Sequence, residues 1–132
     1  MRWGKPNASE HEECVAFWDH VKMMRNQDWR YQCVRRIPID QKCSLPAARW
    51  LKAEGREPGA WDYGVFVPSG RYHGAWIEMK LPGKRLRVEQ ENFGKYMQAA
   101  GYLIEVCYSG QDAIEFLRFY FELQKQKLRG AA

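Results

Sequence analysis

Between Glu10 and Met24, Val15, Trp18 and Val21 fall at the spacing that places one apolar stripe on an α-helix, widened by Cys14 and Phe17. Asn7 or Ser9 can cap its start. Residues 30–37, Arg-Tyr-Gln-Cys-Val-Arg-Arg-Ile, alternate loosely and predict a strand, followed by a polar, irregular stretch from Pro38 to Pro46. A second helix is predicted from Pro46 to Glu54, with proline near its first turn and Gly55 just past its end. Its face carries Arg49 and Lys52 beside Leu51.

Two apolar runs, 62–67 and 74–80, flank the polar turn Pro-Ser-Gly-Arg-Tyr-His and predict a β-hairpin. Pro82-Gly83-Lys84 reads as a turn. A helix from Val88 to about Ala100, with Phe93, Met97 and Ala100 on one side, ends at Gly101. Tyr102 to Cys107 is a short apolar strand interrupted by Glu105, and a last helix from Gln111 to about Lys127 buries Ile114, Leu117, Tyr120 and Phe121. The order α, β, α, β, β, α, β, α predicts an α/β fold, a mixed β-sheet flanked by helices. A right-handed crossover through helix 88–100 would lay strand 102–107 parallel to strand 74–80 and make the latter central.

The chain has 132 residues, enough for one domain with a full core (1–132), and no repeat or linker divides it. No apolar stretch approaches the ~18 residues of a membrane helix, and Met1 to Asn7 lacks the apolar region of a secretory signal. Cys14, Cys33, Cys43 and Cys107 show neither a C-x-x-C pair nor zinc-finger spacing, so they read as reduced cytoplasmic thiols, Cys14 and Cys107 as packing residues. His11, His20 and His73 have no partners at ligand spacing. A net charge of +5 and a pI near 9.1 favour a polyanionic partner over an acidic one.

The candidate chemistry lies in the hairpin. Asp62, Glu78 and Lys80 are charged residues set into two otherwise apolar β segments, which is costly unless they are paired or hold a metal. With the turn centred near Ser69-Gly70-Arg71, Asp62 falls opposite Glu78, at a cross-strand Cβ separation of about 5 Å. Glu78 and Lys80 are two residues apart and share a face. Two carboxylates and an ammonium on one face suit a hard divalent cation and an activated water. On spacing alone, the alternative is a solvated Glu78–Lys80 salt bridge with Asp62 capping a turn.

The blocks Ala-Arg-Trp-Leu-Lys-Ala-Glu-Gly (48–55), Pro-Gly-Ala-Trp-Asp (58–62), Tyr-His-Gly-Ala-Trp-Ile-Glu-Met-Lys (72–80), Pro-Gly-Lys-Arg-Leu-Arg-Val-Glu-Gln (82–90) and Ala-Gly-Tyr-Leu-Ile-Glu-Val-Cys (100–107) occur in order. Together they resemble the VRR-NUC domain, a branch of the PD-(D/E)XK nuclease superfamily, over nearly the whole chain. The resemblance implies a restriction-endonuclease-like core and a compact stand-alone protein of phage or bacterial type, acting in the cytoplasm. It matches Asp62 to the motif aspartate, Glu78 to the motif acid and Lys80 to the motif lysine. Gln90 matches the glutamine opening the next helix, where its amide would bond Lys80 or a metal-bound water. Glu10, close in sequence to Glu12 and Glu13, resembles the first-helix glutamate that completes such metal sites.

Two positions depart from the family pattern. Trp61 stands where proline usually precedes the aspartate, and is a candidate to pack against substrate or a neighbouring subunit. Residues 39–41 replace an Asn-Gly-Gly-like turn, which puts that loop's substrate contacts in doubt.

The implied chemistry is phosphodiester hydrolysis with Mg²⁺ or Mn²⁺ on Asp62, Glu78 and the Met79 carbonyl, Lys80 positioning the attacking water. Arg35, Arg36, Arg49, Lys52, Lys84, Arg85 and Arg87, with Arg30 nearby, are candidate phosphate contacts. The implied activity is a structure-selective endonuclease cutting branched, Holliday-junction-type DNA as a homodimer, in replication, recombination or repair. A monomeric flap or single-strand nuclease, and a nucleic-acid-binding module without catalysis, are the rival readings.

Overall fold

A computed structural model of the chain describes residues 9–38 and 43–131, with side chains as far as residue 123. Asn7 and the rest of the N-terminal stretch, and residues 39–41, fall outside the described residues.

Helix α1 (Glu10–Met24) starts where the sequence predicts. The Ser9 hydroxyl accepts the Glu12 N–H at 3.1 Å and the Glu12 carboxylate accepts the Ser9 N–H at 3.3 Å, a reciprocal cap. Phe17 and Val21 are fully buried and Cys14 and Trp18 half-buried, but Val15 is 44% exposed. The predicted stripe is therefore wider than the surface that covers it.

The strand expected over 30–37 forms only at its end. Asp28 accepts the Arg30 N–H at 3.0 Å and caps a short 3₁₀ helix, Trp29–Cys33. Arg30 also donates to the Phe121 carbonyl at 2.9 Å, which fixes the bend, so β1 is reduced to Val34–Arg36.

Helix α2 (Leu45–Ala53) has Pro46 in its first turn and is followed by Gly55 at φ +109°, a conformation that glycine adopts without strain. None of its residues is buried. Strands β2 (Tyr63–Val65) and β3 (Ala75–Met79) form the predicted hairpin, α3 (Val88–Ala99) crosses over, and β4 (Leu103–Cys107) leads into α4 (Gly110–Ala131).

The sheet order is β1-β2-β3-β4, antiparallel except for the parallel β3/β4 pair, so β3 is internal and buried throughout. Alternation divides the sheet into two faces. Tyr63, Val65, Ala75, Ile77 and Met79 enter the core with Phe17 and Val21 of α1 and Leu117, Tyr120 and Phe121 of α4. The other face carries Gly64, Trp76 and Glu78, with Trp76 edge-on to Phe93 of α3 at 5.0 Å.

The far end of the hairpin is tied to α4. The Tyr120 hydroxyl donates to the Val67 carbonyl at 2.7 Å, and the Ser69 hydroxyl donates to the Tyr120 carbonyl. All four cysteines are free; Cys107 is buried, and burial pushes its thiol up to about 12. No helix among the described residues is long and apolar enough to cross a membrane.

Candidate active site

The β2/β3 register pairs Tyr63 with Ile77 and Gly64 with Trp76, so extending it by one residue sets Asp62 opposite Glu78. The two acids are bound crosswise to the opposite strands. The Asp62 N–H donates to Glu78 Oε1 at 3.1 Å, and the Met79 N–H donates to Asp62 Oδ2 at 2.9 Å. Both side chains are nearly sealed, with residue exposures of 7% for Asp62 and 2% for Glu78. Main-chain N–H groups that accept no proton but donate to both carboxylates hold the oxygens in fixed positions.

Helix α3 supplies a third point of attachment. The Gln90 side-chain amide donates to Glu78 Oε2 at 2.8 Å, while its oxygen accepts the Arg87 N–H at 2.9 Å. Of the two expected partners, Lys80 and a metal-bound water, the first is not the one bonded: the Gln90 amide braces Glu78 directly. Trp61 in turn donates its indole N–H to the Gln90 carbonyl at 2.8 Å and is 2% exposed. That burial overturns the expectation that Trp61 packs against substrate or a neighbouring subunit: it anchors α3 beside the acids.

Two cations complete the cluster. Lys80 Nζ lies 3.5 Å from Glu78 Oε2, its side chain 15% exposed. Arg36 Nη1 lies 3.2 Å from Asp62 Oδ1, with the guanidinium 5.2 Å above the Tyr63 ring. Burial pushes the Glu78 carboxyl up to about 7, the neighbouring Asp62 charge adds to this, and Lys80 and the Asp62 N–H oppose it.

Repulsion between two buried carboxylates, which Arg36 and Lys80 offset in part, is what a divalent cation relieves. The donor types fit a hard one: the carboxylates of Asp62 and Glu78, with the main-chain carbonyl of the next residue, Met79, as a further oxygen. Among the described residues no group of three or more His, Cys, Asp or Glu could hold a metal. The donors therefore suit an ion that keeps waters and shares its coordination with substrate oxygens, as Mg²⁺ does, rather than one fully caged by protein.

The three glutamates opening α1 separate by their contacts. Glu12 belongs to the Ser9 cap, and Glu13 accepts the Gly110 N–H at 2.7 Å at the start of α4. Glu10 lines a groove of about 630 Å³ with Arg36 and Tyr63, and its charge contributes to raising Glu78. It is brought near the acids without joining a three-carboxylate cluster.

The candidate phosphate contacts sort in the same way. Arg35 is exposed and opposite Gly64, on the face of Glu78. Lys84 and Arg85 are exposed on the loop leaving β3, and Arg87 sits exposed at the start of α3. Arg49 and Lys52 lie on the exposed α2. Arg30 is held by Asp28 at 2.7 Å and stacks over Phe121 at 4.5 Å, so its role is in the fold. His11 and His73 are exposed, and His20 packs edge-on to Tyr31. The Arg36–Asp62 pair was not anticipated from sequence: alternation along β1 sets Arg35, not Arg36, on the face of the acids, and Arg36 reaches Asp62 only from the end of the strand.

No protein-family profile and no curated protein matches the chain. Among solved structures, one described as a VRR_NUC domain protein superposes with a TM-score of 0.69 at 19% identity, over 84% of this chain and 88% of that one. The chain has the VRR-NUC fold, an α/β restriction-endonuclease-like architecture, as the ordered sequence blocks implied.

Proposed function

We propose that this chain, a VRR-NUC fold with paired buried acids, is a metal-dependent DNA endonuclease acting on branched, junction-type DNA. The observation that carries the proposal is the crosswise binding of Asp62 and Glu78 to each other's strands, with Lys80 at 3.5 Å from Glu78. A surface salt bridge needs none of this: it would leave the acids solvated, whereas here they are buried and mutually repelling.

Asp62, Glu78 and the Met79 carbonyl would hold Mg²⁺ or Mn²⁺, with Glu10 close by. When bound, such an ion would supply Lewis-acid polarisation and lower the cost of deprotonating water. The remaining work falls to the chain. Glu78 orients the attacking water through its second oxygen, and Lys80 donates to that water and to the developing negative charge. Gln90 keeps Glu78 in the orientation this requires. Arg35, exposed on the sheet face of Glu78, and Lys84, Arg85 and Arg87, exposed on the segment between β3 and α3, would track the phosphate backbone, with Arg49 and Lys52 of the exposed α2 as further contacts. A homodimer would present two such sites to a four-way junction, one for each of two equivalent scissile bonds.

Cleavage of end-labelled duplex, single-stranded, flapped and four-way-junction DNA with Mg²⁺ or Mn²⁺ tests the reading, with Lys80→Ala as control. Paired, symmetric cuts in the junction that disappear in Lys80→Ala support it. Preferential flap cleavage by a monomer would replace the junction reading, and DNA binding without cutting in either metal would leave a binding module.

A further inference from the structure

Asp62 is the acid that the fold buries beside Glu78, and one of its oxygens faces the guanidinium of Arg36 at 3.2 Å. The two partners are unequally held. The Asp62 side chain is 9% exposed and fixed by the Met79 N–H, whereas the Arg36 side chain is 43% exposed. Its other contacts are with neutral groups: a side-chain hydrogen bond to Tyr63, the face of the same ring at 5.2 Å and the Cys14 sulfur at 3.8 Å. Arg36 also ends β1, pairing across to Tyr63 at the rim where the groove along α1 begins. A half-exposed arginine on a long flexible stem can leave a buried carboxylate without disturbing the core, and the same fork that fits a carboxylate fits a phosphate.

We propose that Arg36 is the resident counter-ion of Asp62, which yields that carboxylate to the divalent cation and then pairs with a phosphate of the bound DNA. The inference rests on the nuclease reading and adds a coupling to it. In the metal-free protein Arg36 neutralises an acid that is otherwise buried beside another acid. On metal binding the charge of Arg36 becomes surplus at Asp62 and is released to the polyanion. Metal and DNA then assist one another through one side chain, and the assistance is reciprocal. Lys80 does not substitute, because its contact is with Glu78 and its side chain is largely buried.

Arg36→Met keeps an unbranched stem and removes the charge, together with the guanidinium contacts to Tyr63; Arg36→Lys restores a charge without the fork. Mn²⁺ binding to the DNA-free protein, followed calorimetrically, should tighten about two- to fivefold in Arg36→Met and less in Arg36→Lys. Binding of a junction should then be measured with and without Ca²⁺ in place of the catalytic ion. Arg36→Met should lower the salt slope by about one with Ca²⁺ and leave it unchanged in EDTA. Unchanged or weaker Mn²⁺ binding in Arg36→Met, or an equal loss of DNA affinity with and without Ca²⁺, would overturn the inference while leaving the nuclease reading in place. Failure of the wild-type protein to bind any divalent ion would overturn both.

Discussion

The side-chain amide of Gln90 reaches Glu78 Oε2 at 2.8 Å, so the first turn of α3 fixes an acid of β3 that the hairpin alone would leave half-supported. The same glutamine accepts the Arg87 N–H, which makes the start of the helix and the orientation of the acid one structural unit. Gln90→Ala removes both bonds and leaves the buried Glu78 Oε2 to Lys80 alone, at 3.5 Å. A loss of about 1–3 kcal/mol in stability is expected by urea denaturation, with cleavage lowered at least tenfold through misplacement of Glu78. Full activity in a variant that has lost this stability would show that Gln90 serves the fold alone.

Glu78 gives the metal-free protein a distinctive pH dependence. Its carboxyl is raised from 4.5 to about 7 in the folded state, so the folded protein holds a proton that the unfolded chain gives up over that interval. The stabilisation from this proton is full below about pH 4.5 and is lost as pH rises through about 7. In EDTA, unfolding free energy should therefore fall by about 2–3 kcal/mol between pH 5 and pH 8 on account of this group. Glu78→Gln should flatten the decline. A divalent cation should offset it, stabilising the wild-type protein more at pH 8 than at pH 6, since binding requires the ionised acid. Thermal melts across pH, with and without Mn²⁺, measure both effects.

Much of this arrangement was legible in the sequence because it follows from short-range periodicity. A turn centred on Gly70 fixes the hairpin register, and the register alone sets Asp62 against Glu78. The crossover through α3 followed from the handedness of parallel connections. What was not legible depended on contacts between distant segments. The 3₁₀ turn at Trp29–Cys33 is held by the Asp28 cap and by Arg30 reaching Phe121, 91 residues away, and only the second contact, invisible in the sequence, settles the bend against the alternation that reads as strand. Trp61 was open to a substrate-facing reading because only the close approach of α3 shows what covers it. Arg36 reads as surface charge until the strand end that places it on Asp62 is known.

The first-helix glutamates should separate experimentally. Glu13 accepts the Gly110 N–H at 2.7 Å, a carboxylate at a helix N-terminus. Glu13→Ala should cost about 1–2 kcal/mol of stability with metal affinity unchanged. Glu10 instead shares the α1 groove with Arg36 and adds to the negative potential at Glu78. Glu10→Gln should weaken Mn²⁺ binding several-fold and leave the melting temperature in place. The opposite assignment of effects, read by calorimetric titration and thermal melts on the two variants, would exchange their roles.

Trp61 and Gly94 form the last link between the helix and the acids. A Cβ at Gly94 would lie 2.7 Å from the Trp61 indole ring, so α3 reaches this depth only because position 94 has no side chain. Gly94→Ala should force the helix outward and cost about 1–3 kcal/mol, despite the better helix propensity of alanine. The displacement pulls Gln90 away from Glu78, so cleavage should fall as well. Trp61→Phe keeps an aromatic but smaller side chain, deletes the bond to the Gln90 carbonyl and relieves rather than crowds the contact with Gly94. A loss of about 1–3 kcal/mol is expected from the missing bond and the vacated volume together. If the anchor sets the position of Gln90, adding Trp61→Phe to Gln90→Ala should reduce activity much less than Trp61→Phe does by itself. Independent, multiplicative losses in that double-mutant cycle would show that Trp61 stabilises the helix without acting through Gln90.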